Sequence, residues 1–333
     1  MAQQPDPSRV MSLATQYWDA QVLLTANRLG LFALLGEESE TAQQIAAELA
    51  IKPRATSLFL NACVALGLLD KDDERFANST LARAFLVPGT QAFIGNTIQY
   101  SDNLYATWGR LEEALRTDEP QLLEDSYLGD DPATTRAFVY GMHERAMGIG
   151  RNLVELVDLS GRKQMLDVGG GPGTYSALFV QRYDGLRSTV LDLPGVVAIA
   201  TEIVDNMGIA DRVDTLPGSH RTTAFPGGND VVLISGVLHR ESEAGCRRLI
   251  RNARESLEPN GLLVVSDVFT DAGGAGPAFA ALFGLNMLLT APEGGVHADA
   301  DIAAWMRDEG FEVIQMQPFP PPMPHRVVVA RGF

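Results

Sequence analysis

The chain has 333 residues, enough for two domains and a large core. With 46% hydrophobic and 20% charged residues it reads as a globular protein, and no apolar run approaches the ~20 residues of a membrane span. Its 26 basic and 42 acidic residues leave a formal charge of −16, which repels phosphate backbones and argues against a nucleic-acid partner.

The first residues, MAQQPDPSRV, lack a basic region followed by an apolar segment, so no signal peptide is expected. Cys63 and Cys246 are far apart and form no C-x-x-C pair. They read as thiols of a reducing compartment, and the expected location is the cytoplasm. Residues 11–35 read as helix, because Leu13, Tyr17, Ala20, Leu24 and Leu31 recur at helical spacing. Thr41, with Gln44 three residues on, is a capping-box pattern that opens the next helix. Pro53 suits the first turn of another helix over 54–66, which stops at Gly67. Leu68-Leu69 and Phe76 then flank the charged tip KDDER, which reads as a small β-wing. The order is that of a winged helix. A DNA-reading role has little support, since the helix PRATSLFLNACVALG carries Arg54 as its only cation.

Pro88, Gly89 and Gly95 place a domain boundary within 88–103, giving domains over 1–100 and 101–333. The segment 108–121 is helical until Pro120. Asp131-Pro132 opens a longer helix over 132–157, where His143 and Met147 share one face.

Residues Met165 to Ser176, MLDVGGGPGTYS, follow. An apolar run ends in glycines, and Thr174 starts a helical pattern. A strand turning through glycine into a helix gathers bare backbone N–H groups at one point and suits a nucleotide-like ligand. Asp167 with Gly169, Gly171 and Gly173 gives D-x-G-x-G-x-G, not the G-x-G-x-x-G of dinucleotide sites. A diphosphate disfavours a neighbouring carboxylate, whereas Asp167 suits a ligand amine. Asp192 closes the next strand, where doubly wound folds hold a ribose diol. An amine plus a ribose, with no required phosphate, describes S-adenosylmethionine (SAM).

Strands are expected near 188–193, 212–216, 229–235 and 262–268, with helices between them. That alternation predicts a parallel sheet covered on both faces. The last two strands, 311–317 and 326–330, are joined by PFPPPMP without a helix and predict an antiparallel pair.

LDVGGGPG, VLDLPGVV and ISGVLH together resemble the SAM-dependent O-methyltransferases of the plant caffeate and acetylserotonin type and their bacterial small-molecule relatives. The resemblance covers nearly the whole chain. It implies the class I methyltransferase fold, an α/β Rossmann-like sheet with an antiparallel terminal strand. It also implies that the N-terminal helical, winged-helix-like module is a dimerisation domain, and that the protein is a homodimer. Asp192 and Leu193 fall at the ribose and adenine. Gly218, Ser219 and His220 fall at the adenine, with Ser219 and His220 standing where an acid and an apolar residue are usual. Ser235 sits on the cofactor side of the fourth strand end. His239 falls on the family's general base and Asp267 on the acid that orients it. His143, Met147, Phe283, Asn286 and Met287 match the region lining the acceptor pocket, though core packing explains any one of them equally well.

Two positions depart from the family. Arg240 follows His239 where an aspartate is usual, and His297 stands in place of a second acid. His239 and His297 are therefore expected to face each other, with Asp267 completing a set that could hold a metal ion. Two chemistries stay open. One is methylation of a hydroxyl on a small aromatic or polyketide-like acceptor, using a His base without metal. The other is metal-assisted C-methylation of a 2-oxo acid. A SAM-bound enzyme that no longer transfers methyl is a further alternative.

Overall fold

The computed structural model describes residues 6–123, 128 and 131–333. The chain divides into two compact units between Asn103 and Leu104.

In the N-terminal unit, α1 (Ser8–Thr15), α2 (Tyr17–Arg28) and α3 (Leu31–Leu35) replace the single helix expected over 11–35. The break between α2 and α3 falls at Gly30, whose φ of 72° is a left-handed turn open to glycine at little cost. β1 (Ser39–Thr41) leads into α4 (Ala42–Glu48), and the capping box forms. The Thr41 hydroxyl accepts from the Gln44 N–H at 3.3 Å, and the Gln44 side chain accepts from the Thr41 N–H at 2.9 Å. Next come α5 (Pro53–Ala65), the hairpin β2 (Leu69–Asp72) and β3 (Arg75–Asn78), and α6 (Thr80–Phe85). The hairpin stands where the wing was expected, and β1 extends it to a sheet of order β1-β3-β2. Leu31, Phe32, Leu35, Ile45, Leu60 and Phe76 form the core. α1 instead leaves Val10, Met11 and Leu13 exposed, as are Tyr17 and Trp18 at the start of α2.

The division falls inside α7 (Gly95–Trp108). In the C-terminal unit, α8 (Leu111–Thr117) and α9 (Pro132–Leu156) precede the sheet. Strands β4 (Gln164–Val168), β5 (Arg187–Asp192), β6 (Val213–Pro217), β7 (Asn229–Ser235) and β8 (Leu257–Val268) run parallel. Helices α10 (Thr174–Arg182), α11 (Pro194–Asn206) and α12 (Glu243–Ser256) supply crossovers, and α13 (Ala278–Thr290) and α14 (Asp299–Asp308) follow. β9 (Phe311–Pro318) and β10 (His325–Gly332) form the antiparallel end. Among the described residues the seven strands lie in the order β6-β5-β4-β7-β8-β10-β9.

The strands are apolar on both sides because helices cover both faces. Leu166, Val168, Val232 and Ile234 face one core with Leu249 and Met306, while Met165, Val231 and Leu233 face the other with Leu153 and Phe179. The chain winds outward from β4 to β6, then crosses back to β7 beside β4. This reversal opens a crevice at the C-terminal ends of β4 and β7, where ligands of such sheets bind. Among the described residues no helix is long and apolar enough to cross a membrane.

Candidate active site

The β4 strand end carries the glycine loop against β7. A Cβ added to Gly169 would lie 2.7 Å from Val237 Cγ2, and one on Gly170 would lie 2.7 Å from the Asp167 carboxyl carbon. Glycine is therefore required at both positions by close approach. Asp167 has no solvent exposure. Its Oδ2 accepts from the Ser176 hydroxyl at 2.7 Å, and Ser176 lies 2.8 Å from the Ser188 hydroxyl. Its Oδ1 is buried without a hydrogen-bond partner. Burial, reinforced by the charge of Asp192, pushes the Asp167 carboxyl up to about 7. An unpartnered buried carboxylate oxygen beside an open glycine loop fits a ligand ammonium.

Asp192 ends β5 and faces the same loop. Its Oδ2 accepts from the Gly171 N–H at 2.7 Å, and its Oδ1 from the Leu193 N–H at 2.7 Å. Gly173 caps α10 in the left-handed conformation. Gly218, after β6, is tied back by its N–H to the Asp192 carbonyl at 2.8 Å, and Ser219 bonds within its own turn through Thr223 and Arg221. His220, expected against an adenine ring, is a hydrogen-bond partner of Glu241 here. Its Nε2 lies 3.0 Å from Glu241 Oε1, which Arg221 also meets at 2.6 Å. Burial alone would raise the Glu241 carboxyl, but the bonds from His220 and Arg221 hold it below its usual value.

The acid–base pair is assembled on β7 and β8. Gly236 turns the chain out of β7, and His239 sits on a single 3₁₀ turn, Leu238–Arg240. His239 Nδ1 lies 2.7 Å from Asp267 Oδ1, and the His239 N–H donates to Asp267 Oδ2 at 3.3 Å. Burial pushes the Asp267 carboxyl up, but the His239 charge and hydrogen bond and the Val268 N–H outweigh it and hold Asp267 below the ordinary carboxylate range. An ionised carboxylate only accepts. Nδ1 therefore carries a proton, and in the neutral ring Nε2 presents its lone pair, as a general base requires. Phe283 of α13 meets the ring edge-on at 4.9 Å and fixes its plane.

His297 does not face His239. Its Nε2 is 2.9 Å from the Glu241 carbonyl and 3.4 Å from Cys246 Sγ, with Trp305 against the ring at 5.2 Å. What touches His239 is the backbone before it, where the Gly295 N–H donates to the His239 carbonyl at 2.9 Å. Among the described residues no three His, Cys, Asp or Glu side chains are placed to hold a metal ion. The set His239, Asp267 and His297 is not brought together, and no metal-dependent step is derived.

Of the acceptor-side residues, Phe283 touches the base. Asn286 Oδ1 accepts from the Trp108 indole at 3.0 Å, and Met287 is buried. His143 Nδ1 lies 2.7 Å from the Thr174 hydroxyl, so α9 touches the start of α10 rather than the base. Burial lowers the His143 pKa. Met147 is half-buried on the same helix. Sequence reasoning missed Tyr175, Arg145, His325 and Glu241. Burial pushes the Tyr175 hydroxyl up to about 12, with Ser235 acting against it. The place of Tyr175 inside MLDVGGGPGTYS was the available signal.

The family pattern for the O-methyltransferase dimerisation domain matches residues 11–88, and that for the O-methyltransferase domain matches residues 108–312. Over 97% of its length the chain is 33% identical to 94% of a 3-hydroxy-5-methyl-1-naphthoate 3-O-methyltransferase of Streptomyces sahachiroi. It is 31% identical to the tetracenomycin polyketide synthesis 8-O-methyl transferase of Streptomyces glaucescens, covering 92% of this chain and 91% of that one. Its fold matches human N-acetylserotonin methyltransferase, solved in complex with SAM, with a TM-score of 0.87 at 24% identity over 100% of this chain and 99% of that one. The chain belongs to the O-methyltransferase family, as a SAM-dependent methyltransferase of small molecules with the family's dimerisation domain.

Proposed function

We propose that the enzyme methylates a hydroxyl of a small aromatic or polyketide-like acceptor, with His239 as general base, and that it works as a cytoplasmic homodimer. The observation carrying this reading is the 2.7 Å contact between His239 Nδ1 and the buried, ionised Asp267. The named acceptors of the two Streptomyces relatives, a hydroxynaphthoate and a polyketide, support the acceptor class.

SAM supplies an electrophilic methyl group on a sulfonium with a good leaving group. The chain's own part is to hold, orient and deprotonate. The free oxygen of Asp167 takes the ammonium, and Asp192 the ribose. Gly169, Gly171 and Gly173 let the backbone come close. Leu193, Gly218, Ser219 and His220 border the adenine, and Ser235 with Tyr175 closes the side towards the base. His239 Nε2 removes the acceptor's hydroxyl proton as its oxygen takes the methyl, leaving S-adenosylhomocysteine and an imidazolium that Asp267 stabilises. His143, Met147, Phe283, Asn286 and Met287 shape the acceptor side. His297 holds the 294–297 loop on the Glu241 carbonyl and thereby supports His239 from behind.

The test is a panel of phenols, hydroxynaphthoates and 2-oxo acids incubated with SAM, with the product methyl located by NMR. An O-methyl signal from aromatic acceptors is expected. Methyl on carbon from the oxo acids alone, or no product beyond spontaneous SAM breakdown, would contradict the reading.

A further inference from the structure

Arg145 lies on α9, half-buried. Its guanidinium sits 5.8 Å from the Phe283 ring centroid, and the same ring meets His239 at 4.9 Å. Arg145 is therefore one aromatic ring away from the base. Among the described residues no carboxylate or carbonyl pairs with it. The exposed Arg28, Arg136 and Arg251 and the half-buried Arg247 each hold a carboxylate. In a chain with 42 acidic residues against 26 basic ones, an inward-placed guanidinium without a counter-charge is an exception.

His325 adds a second buried polar group without a partner. It opens β10, opposite Val268 and next to the partner of Asp267 in the register. Its Nδ1 is buried without a hydrogen-bond partner. Burial and the neighbouring Arg145 charge push the imidazole down to about 4, against the pull of Asp267, so the ring is neutral. A neutral ring nitrogen can still donate one hydrogen bond. Arg145 also acts electrostatically on Tyr175. Arg145 thus acts electrostatically on both Tyr175 and His325, and His325 lies one register position from the strand partner of Asp267.

A half-buried guanidinium without a counter-charge is costly, and a ligand carboxylate met by its planar fork removes that cost. Phe283 offers a flat apolar wall between the cation and the base. We propose that Arg145 is a specificity-determining residue that binds a carboxylate on the acceptor, with His325 as a second donor, so that the acceptor is a hydroxyaryl carboxylic acid rather than a neutral phenol. This rests on the reading of the site as a hydroxyl-methylating one.

The experiment compares hydroxybenzoic and hydroxynaphthoic acids with their carboxamides, which keep the shape and lose the charge. Binding to the protein saturated with S-adenosylhomocysteine is measured by calorimetry, and methyl transfer separately. The acids should bind at least about tenfold tighter than the carboxamides, a gap of ~1.4 kcal/mol. Arg145→Gln should erase that gap while leaving carboxamide and S-adenosylhomocysteine affinity unchanged, and Arg145→Lys should keep part of it. Equal binding of acid and carboxamide by the wild type overturns the proposal. So does an Arg145→Gln variant that weakens both alike. If Arg145→Gln does not fold, the wild-type and Arg145→Lys preferences decide. Tight acid binding without methyl transfer would remove the hydroxyl-methylation reading and leave the anion site. Transfer to neutral phenols with no preference for acids would do the reverse.

Discussion

With no solvent contact and one oxygen unpartnered, the Asp167 carboxyl titrates near 7, well above the ~3.9 of an unfolded carboxylate. Between those values the native state holds a proton that the unfolded state has lost. Its contribution to stability therefore falls as pH rises from ~4 to about 7. A ligand ammonium beside Oδ1 lowers that pKa again, so binding releases a proton below pH 7. Affinity for S-adenosylhomocysteine should then rise up to ~tenfold per pH unit towards 7 and flatten above it. Calorimetry from pH 5.5 to 8, in buffers of different ionisation enthalpy, reads both the affinity and the proton count. Asp167→Asn should bind more weakly and without the slope. A wild type whose affinity is flat across this range would contradict the assignment. The motif made Asp167 and Asp192 legible, because an acid before glycines and an acid at the next strand end are local features. The orientation of His297 was not legible. It depends on the Glu241 carbonyl, 56 residues away and just past the 3₁₀ turn that carries His239. No spacing rule reports which way a ring turns.

At the scale of elements, the packing of α9 on α10 turns on one glycine. A Cβ at Gly150 would lie 2.6 Å from Leu178 Cδ1, whereas at Gly148 the nearest atom is Met323 Cε at 3.9 Å. Gly150→Ala should destabilise by about 1–3 kcal/mol through overpacking. Gly148→Ala, in the same helix, should stabilise by ~0.5–1 kcal/mol by restricting the unfolded chain. Denaturant unfolding of the two variants checks the sign, and equal effects would contradict the packing account. The strands were readable as apolar runs bounded by glycine or proline, and the proline loop before β10 signalled the antiparallel end. The N-terminal helices were read as one because apolar spacing runs on through Gly30. The left-handed turn there resets the helix direction without disturbing the spacing.

For the whole molecule, the net charge of −16 and the exposed apolar side chains of the N-terminal unit point to different partners. The charge disfavours nucleic acid. Val10, Met11, Leu13, Tyr17 and Trp18 form an apolar stretch that a second copy of the chain would cover. Sedimentation should give a dimer, and Leu13→Glu with Trp18→Glu should shift it to monomer. A wild type that is monomeric at micromolar concentration would contradict the homodimer.

His239, held by Asp267, is proposed to deprotonate the acceptor. Single-turnover methyl transfer by wild type and His239→Ala, with SAM affinity measured beside it, tests that most directly. SAM affinity should be unchanged and the transfer rate should fall at least ~100-fold. Transfer at the wild-type rate by the alanine variant would contradict it.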